Sequence, residues 1–164
     1  MDCDKAVRDQ LLDLLNGGNA HMSFDEAVER FPLDQINLFP SNVSYTPWHI
    51  VEHMRRCQWD ILEYIRDPNY VSPPWPDEYW PKPDEQADQA RWEQTLNDFR
   101  ADLQAFKRMV TDESTDLYAG LPHAPQHNIL REVLVLADHN AYHIGELAVL
   151  RQVMGAWPSN RVGT

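Results

Sequence analysis

The segment from residue 129 to residue 155, ILREVLVLADHNAYHIGELAVLRQVMG, is apolar around most of a helical circumference. It follows Asn128, a residue type that favours helix N-caps, and it ends at Gly155, which suits the position just after a helix. A helix with so little polar surface has to be covered by other parts of the protein. The segment therefore predicts the most buried helix of a helical protein.

Three further segments carry apolar residues at helical spacing, and no segment alternates as a half-buried strand does. They cover residues 4–16, 47–66 and 84–112. Ser23 and Glu26 have the spacing of a capping box and predict one short extra helix. We expect an all-α fold, an antiparallel four-helix bundle with this extra helix, and a single domain over residues 1–164.

A long proline-rich loop separates the second and third bundle helices. Residues 67–83 contain six of the twelve prolines, which are incompatible with a helix or a central strand. The aromatic residues Tyr70, Trp75, Tyr79 and Trp80 predict an ordered loop rather than a flexible linker. If the loop covers a site, it shapes a substrate pocket, and if it packs elsewhere, it braces the bundle or a dimer contact. The sequence leaves both open.

Charge and hydropathy exclude several classes of partner. The chain has 26 acidic and 14 basic residues, a net charge of −12, which opposes the approach of nucleic acid. No apolar run reaches the roughly 20 residues that a membrane span needs, and the N-terminus MDCDKAVRDQ lacks the pattern of a secretory signal. We expect a cytoplasmic protein that binds a small-molecule substrate and does not bind membranes, with a homodimer favoured by the apolar excess of the helices.

Two helices each carry a pair of histidines four residues apart. His139 and His143 form one pair, and His49 and His53 form the other. Residues at this spacing are separated by about 40° around a helix, so their side chains converge. Imidazole nitrogen binds zinc, nickel, copper and iron, and three protein ligands with an open position are typical of a catalytic site. Clustered neutral histidines without a metal remain the alternative.

The segment HIVEH also matches the H-x-x-E-H pattern of one class of zinc peptidase. That reading requires His49 and His53 as ligands, Glu52 as the base and a glutamate from a following helix. The proline-rich loop stands where this helix is needed, so a peptidase is disfavoured. A di-iron carboxylate site is excluded, because none of the four helical histidines follows a glutamate by three residues. His123 and His127 flank a proline and are predicted loop residues.

The segment HNAYHIGELAVLRQVMG resembles the DinB/YfiT-like metalloenzyme family. In that family, H-x-x-x-H-x-G-Q and a leucine-rich run close a four-helix bundle and supply two metal ligands. The third ligand is a histidine that usually lies seven residues after a threonine at the start of the second bundle helix. Thr46 and His53 have this spacing, so the resemblance, over about residues 47–157, implies His53, His139 and His143 as ligands. It leaves His49 outside the triad.

Glu146 stands where many members of that family have glutamine. Beside a metal, its carboxylate would act as a proton acceptor or a fourth ligand, which makes it the candidate catalytic residue. The resemblance implies a metal-dependent enzyme with a divalent ion, zinc, nickel or iron. Some relatives are similar to transferases and isomerases that use low-molecular-weight thiols, so we expect thiol transfer ahead of hydrolysis. The alternative is a non-catalytic metal-binding or stress-associated bundle.

Overall fold

The computed structural model describes residues 3–158. The helices are α1 (Cys3–Asn16), α2 (Phe24–Val28), α3 (Pro47–Arg66), α4 (Gln89–Thr111) and α5 (Ile129–Val153), with a short hairpin of β1 (Gly120–Leu121) and β2 (Ala124–Asn128) before α5. The predicted helical fold, with four long helices and one short extra helix, is confirmed. Within residues 3–158, none of the helices has the length and apolar character that crossing a bilayer requires.

The predicted starts of α2 and α3 are confirmed by their hydrogen bonds. At α2, the Glu26 backbone N–H donates to the Ser23 hydroxyl at 3.3 Å, and the Ser23 N–H donates to the Glu26 carboxylate at 2.7 Å. At α3, the His49 N–H donates to the Thr46 hydroxyl at 3.2 Å. These bonds satisfy backbone groups that a helix leaves free at its first turn.

The start of α4 and the hairpin differ from the sequence prediction. Helix α4 begins at Gln89, five residues after the predicted start at Asp84, because Asp88 is the N-cap and accepts the Arg91 N–H at 2.8 Å. Strand β2 was not predicted, since it is short and contains proline. Gly120 pairs so closely with it that a Cβ there would lie 2.4 Å from the Pro125 carbonyl oxygen.

Helices α3 and α4 run in the same direction, so the antiparallel arrangement expected from the sequence does not hold for this pair. The Thr95 hydroxyl donates to Glu52 at 3.0 Å, and Gln58 donates to the Phe99 carbonyl at 2.6 Å. The later residue of α3 thus contacts the later residue of α4. Helix α5 runs the opposite way, because Tyr45 before α3 bonds Glu146 late in α5, whereas Tyr64 late in α3 bonds His127 just before α5. Helix α1 also runs opposite to α4, because Arg8 bonds Val110 while Leu14, nearer the end of α1, lies beside the earlier Phe99. The connection over residues 67–88, which we call the crossover loop, must therefore run back along the length of α3, which is about 30 Å.

The most buried helix is α3, not α5 as the sequence suggested. Buried residues occupy most of the first half of α3, including Trp48, Ile50 and Met54, each with no exposed surface. Helix α5 leaves Tyr142 and Val149 more than 60 % exposed. The apolar outer face of α5 is therefore surface in the single chain, whereas α3 is covered by its neighbours and by the crossover loop.

Candidate metal centre

Three histidine rings converge where the middle of α3 faces the middle of α5. His53 comes from α3, and His139 and His143 come from successive turns of α5. One ring nitrogen from each lies within 4.8 Å of the others. His53 and His143 are buried and His139 is half-buried, which leaves the cluster open on one side. Within residues 3–158, this is the group whose ligand atoms are spaced to hold a metal ion.

His53 is held in the orientation that a metal ligand needs. Its Nδ1–H donates to the Tyr79 carbonyl oxygen in the crossover loop at 3.0 Å, so its Nε2 carries a lone pair. Burial, with smaller contributions from the neighbouring His143, His139 and Arg56, lowers the pKa of His53 to about 3 against the raising effect of that carbonyl. The ring is therefore neutral near pH 7 and available as a donor.

His143 is oriented by Glu146 and, through it, by Tyr45. The Nδ1–H of His143 donates to the Glu146 carboxylate at 2.8 Å, and the Tyr45 hydroxyl donates to the other carboxylate oxygen. Burial and the Glu146 carboxylate raise the pKa of Tyr45 to about 12, so the phenol keeps its proton. Both oxygens of Glu146 thus face partners on the protein. The predicted catalytic residue lies behind a ligand ring, in the place where an orienting carboxylate is expected.

Replacing Glu146 with alanine is expected to weaken metal binding about 10- to 100-fold, because His143 loses the acceptor that fixes its ring. Glu146→Gln should stay within a few-fold of the parent, since the amide oxygen still accepts the Nδ1–H. Competition with a chelator of known affinity measures both. Equal affinity of Glu146→Ala and the parent would remove the orienting role of Glu146.

His139 completes the group. Its Nε2 lies 3.2 Å from Nε2 of His53, while its Nδ1 is buried and has no hydrogen-bond partner among the described residues. Burial lowers the pKa of His139 to about 4, helped by His143 and opposed by the Asn140 side chain and Asp138. His139 is neutral near pH 7, like His53.

The donor set fits a divalent ion such as zinc. Zinc–nitrogen bonds of about 2.0–2.1 Å place two tetrahedral ligand nitrogens roughly 3.3–3.4 Å apart, close to the observed 3.2 Å between His53 and His139. The lone pair of His53 Nε2 faces Nε2 of His139 at that distance, so either an N–H hydrogen of His139 or a metal ion lies between the two nitrogens. Three imidazole ligands suit zinc, nickel or iron, the ions expected from the sequence.

The crossover loop lies over this centre. The Trp80 ring stacks on His53 with centroids 3.8 Å apart and planes 7° apart, and Trp75 approaches the same ring at 6.3 Å. Tyr142 meets His143 edge-on at 4.9 Å. Trp75 is 67 % exposed and Tyr142 is 68 % exposed, so two exposed aromatic rings lie next to rings of the triad, Trp75 beside His53 and Tyr142 beside His143. Of the two roles that the sequence left open for the loop, the structure shows the position over the site.

His49 and Glu52 have structural partners instead. His49 donates from Nε2 to the Glu85 carbonyl oxygen at 2.9 Å, and its Nδ1 accepts the Thr46 N–H at 3.4 Å. Glu52 is buried and accepts hydrogen bonds from Arg55, Arg56 and Thr95. A peptidase site needs His49 as a ligand and Glu52 as a free base. The geometry therefore favours the triad over the H-x-x-E-H reading.

The remaining histidine pair and the buried cysteine lie outside the centre. His127 is in β2 and bonds the Tyr64 hydroxyl at 2.8 Å, at the far end of α3 from His53. Cys57 is buried beside His53, and burial raises the pKa of its thiol to about 12, which keeps it an inert thiol. Neither contributes to the group of metal-ligand atoms.

Sequence reasoning missed the partners that orient the triad. Tyr45 lies in a loop before α3, and nothing in its spacing relates it to Glu146, 101 residues later. The Tyr79 carbonyl is a backbone group, so its side chain carries no signal of this role. The tryptophans of the proline-rich loop were the only sequence signal that this loop could cover a site. They did not indicate which atoms of the loop contact His53.

Comparison with known proteins agrees with this geometry. Neither the curated proteins nor the solved structures give a match to the chain. The sequence of residues 18–147 matches the DinB superfamily, and this range includes the whole of α3 and α4, all three histidines of the triad and Glu146. By this match over most of its length, the chain belongs to the DinB superfamily.

Proposed function

We propose that this protein is a metal-dependent enzyme that uses His53, His139 and His143 to hold a divalent ion and acts on a small molecule, with thiol transfer ahead of hydrolysis. The observation that carries the proposal is the convergence of three imidazoles, one nitrogen from each within 4.8 Å of the others. With three protein ligands, such an ion keeps an exchangeable position and acts as a Lewis acid toward a thiol, a water or a carbonyl oxygen.

The residues around the triad support binding and orientation. Tyr79 and Glu146 hold His53 and His143 by their Nδ1 protons, which keeps both rings in one tautomer. Trp80 covers one face of His53 and excludes water from it. His139 is the least buried histidine of the triad, and the exposed rings of Trp75 and Tyr142 lie next to His53 and His143, so we propose that a substrate approaches on this side. A substrate entering there meets two aromatic surfaces before it reaches the triad.

The position of the crossover loop favours an enzyme over a non-catalytic bundle. A protein that only stores or senses a metal needs its ligands alone, whereas an enzyme also needs side chains beside them that can contact a substrate. Trp75 is 67 % exposed within 6.3 Å of a triad ring. This placement supports catalysis on a bound small molecule. Which of zinc, nickel and iron occupies the site depends on cellular supply as well as on ligand type.

Replacing Trp75 with alanine is expected to raise KM about 2- to 10-fold for a substrate that contacts the ring. The reason is that such a substrate loses an aromatic contact, which contributes roughly 0.5–1.5 kcal/mol to binding. Bound metal and kcat should change little, since Trp75 supplies no ligand atom. Tyr118→Ala is the matched control, because Tyr118 is also half exposed but lies near the hairpin. A loss of metal in Trp75→Ala would show that the ring supports the ligands rather than the substrate.

Steady-state assays test the proposed activity. Untagged protein loaded with zinc, nickel or ferrous iron is assayed with glutathione, bacillithiol and mycothiol as thiol donors, and with simple esters and amides. We expect turnover that requires the metal, stops with a chelator and is lost in His53→Ala. Stoichiometric metal binding without turnover in any assay would favour the non-catalytic alternative.

A further inference from the structure

Two buried amide side chains, Gln58 and Asn140, connect the three longest helices beside the triad. Gln58 has no exposed surface and donates from Nε2 to the Phe99 carbonyl oxygen of α4 at 2.6 Å. Asn140, 8 % exposed on α5, donates from Nδ2 to Gln58 Oε1 at 3.2 Å. The chain of bonds thus runs from the α4 backbone through α3 to the residue that follows His139.

The bonds determine which way each amide points. A backbone carbonyl only accepts, so Gln58 must turn its NH₂ group toward Phe99 and its oxygen toward Asn140. Asn140 must then turn its own NH₂ group toward Gln58. Its Oδ1 is consequently the free end of the chain, and this buried oxygen has no hydrogen-bond partner among residues 3–158. A buried acceptor without a partner is costly and requires an explanation.

The neighbouring His139 ring also has a buried atom that lacks a hydrogen-bond partner within residues 3–158. Nδ1 of His139 is buried and also lacks a partner among the described residues. Asn140 follows His139 on α5 and its side chain raises the pKa of the His139 ring, although neither Oδ1 nor Nδ1 has a well-aligned hydrogen-bond partner in the part of the chain that the structure describes. For Nε2 of His139 to bind a metal, its single proton must be on Nδ1, and a proton there needs an acceptor. Oδ1 of Asn140 is the unused acceptor beside it.

We propose that Asn140, held by Gln58, is the positioning residue of His139: its Oδ1 accepts the Nδ1 proton and so fixes the tautomer that leaves Nε2 to the metal. The role rests on the proposed function, since it exists only where the triad binds an ion. Without an ion, the same ring can donate from Nε2 to His53, 3.2 Å away. Metal binding therefore changes the His139 tautomer, and Asn140 stabilises the metal-binding form.

Two variants at residue 140 separate positioning from packing. Asn140→Leu keeps the volume and removes the acceptor, so zinc affinity should fall about 10- to 100-fold. Asn140→Asp keeps an oxygen beside His139, so zinc affinity should stay within a few-fold of the parent. It also places a second carboxylate oxygen against Gln58 Oε1, and the two acceptors repel, so stability should fall. Thr95→Val is the matched control, because it removes a buried hydrogen bond to Glu52 and should leave zinc affinity unchanged.

The readouts are chelator competition for zinc affinity, urea unfolding of the metal-free protein for stability, and long-range ¹H–¹⁵N NMR of the imidazole nitrogens. In the zinc-loaded parent, we expect the His139 proton on Nδ1. A His139 proton on Nε2 in that state, or parental zinc affinity in a folded Asn140→Leu, would overturn the positioning role alone. Absence of zinc binding by the parent would overturn the proposed function, and the positioning role with it.

Discussion

Replacing His53 with alanine is expected to remove bound metal from the purified protein. His53 supplies the α3 ligand, and its loss leaves only two imidazoles on one helix. Losing an outer partner of a ligand costs roughly 10- to 100-fold in metal affinity, and losing a ligand itself should cost more. His139→Ala and His143→Ala should behave alike. Elemental analysis of untagged protein, with each variant checked for helical content, measures the effect.

His49→Ala is the matched control, because it also removes a buried imidazole from α3. His49 bonds the Glu85 carbonyl oxygen and takes part in the capping box with Thr46. Its loss should lower the free energy of unfolding by about 1–2 kcal/mol, as the loss of a helix cap does, while metal content stays near that of the parent. Equal metal loss in His49→Ala and His53→Ala would contradict the triad and restore the peptidase hypothesis.

Replacing Arg151 with methionine is expected to lower the free energy of unfolding by at least about 3 kcal/mol. Arg151 has no exposed surface. It donates to the carbonyl oxygens of Ala27 at 2.8 Å, Glu29 at 3.1 Å and Ala156 at 3.0 Å, and lies over the Trp157 ring at 4.0 Å. Methionine fills most of the volume but removes the donors of these three bonds, two of which are buried, and bonds to charged groups contribute about 1.5–3 kcal/mol each.

Urea unfolding with circular dichroism measures the Arg151 effect. Arg66→Ala is the control, because Arg66 is 47 % exposed and pairs with Glu63 at 3.6 Å, an arrangement that contributes about 0–1 kcal/mol. Arg151→Lys should lie between the two, since one ammonium cannot reach all three carbonyls. A methionine variant as stable as the parent would mean that α2 and the end of α5 do not depend on this side chain.

The helices and their starts were predictable because their signals are local. Ser23 and Thr46 accept backbone N–H groups within the first turn, and Pro47 has the fixed φ of a first helical residue, so spacing alone indicates the start. The four-residue spacing of His139 and His143 likewise determines that the rings share a face. That His53 joins them was implied by the family resemblance, since no local pattern relates residues on different helices. The structure places the three rings together, and their role as ligands remains a prediction.

The parts that sequence reasoning did not reach depend on tertiary structure. The common direction of α3 and α4 follows from the path of the crossover loop, and the loop's composition shows only that it is not helical. The start of α4 was misplaced because Asp84 and Asp88 are equally good caps by residue type, and the Arg91 bond selects Asp88. Asn140 looks like a helix-surface residue in the sequence, whereas it is buried and bonded to Gln58.

The most direct test of the triad is an anomalous-scattering map. Crystals of untagged protein are measured at the absorption edges of zinc, nickel and iron. We expect one peak at stoichiometric occupancy, bonded to a ring nitrogen of each of His53, His139 and His143, with His49 still bonded to the Glu85 carbonyl. A fully metal-loaded protein whose peak lies elsewhere, or whose His53 ring turns away from the other two, would contradict the three-histidine centre.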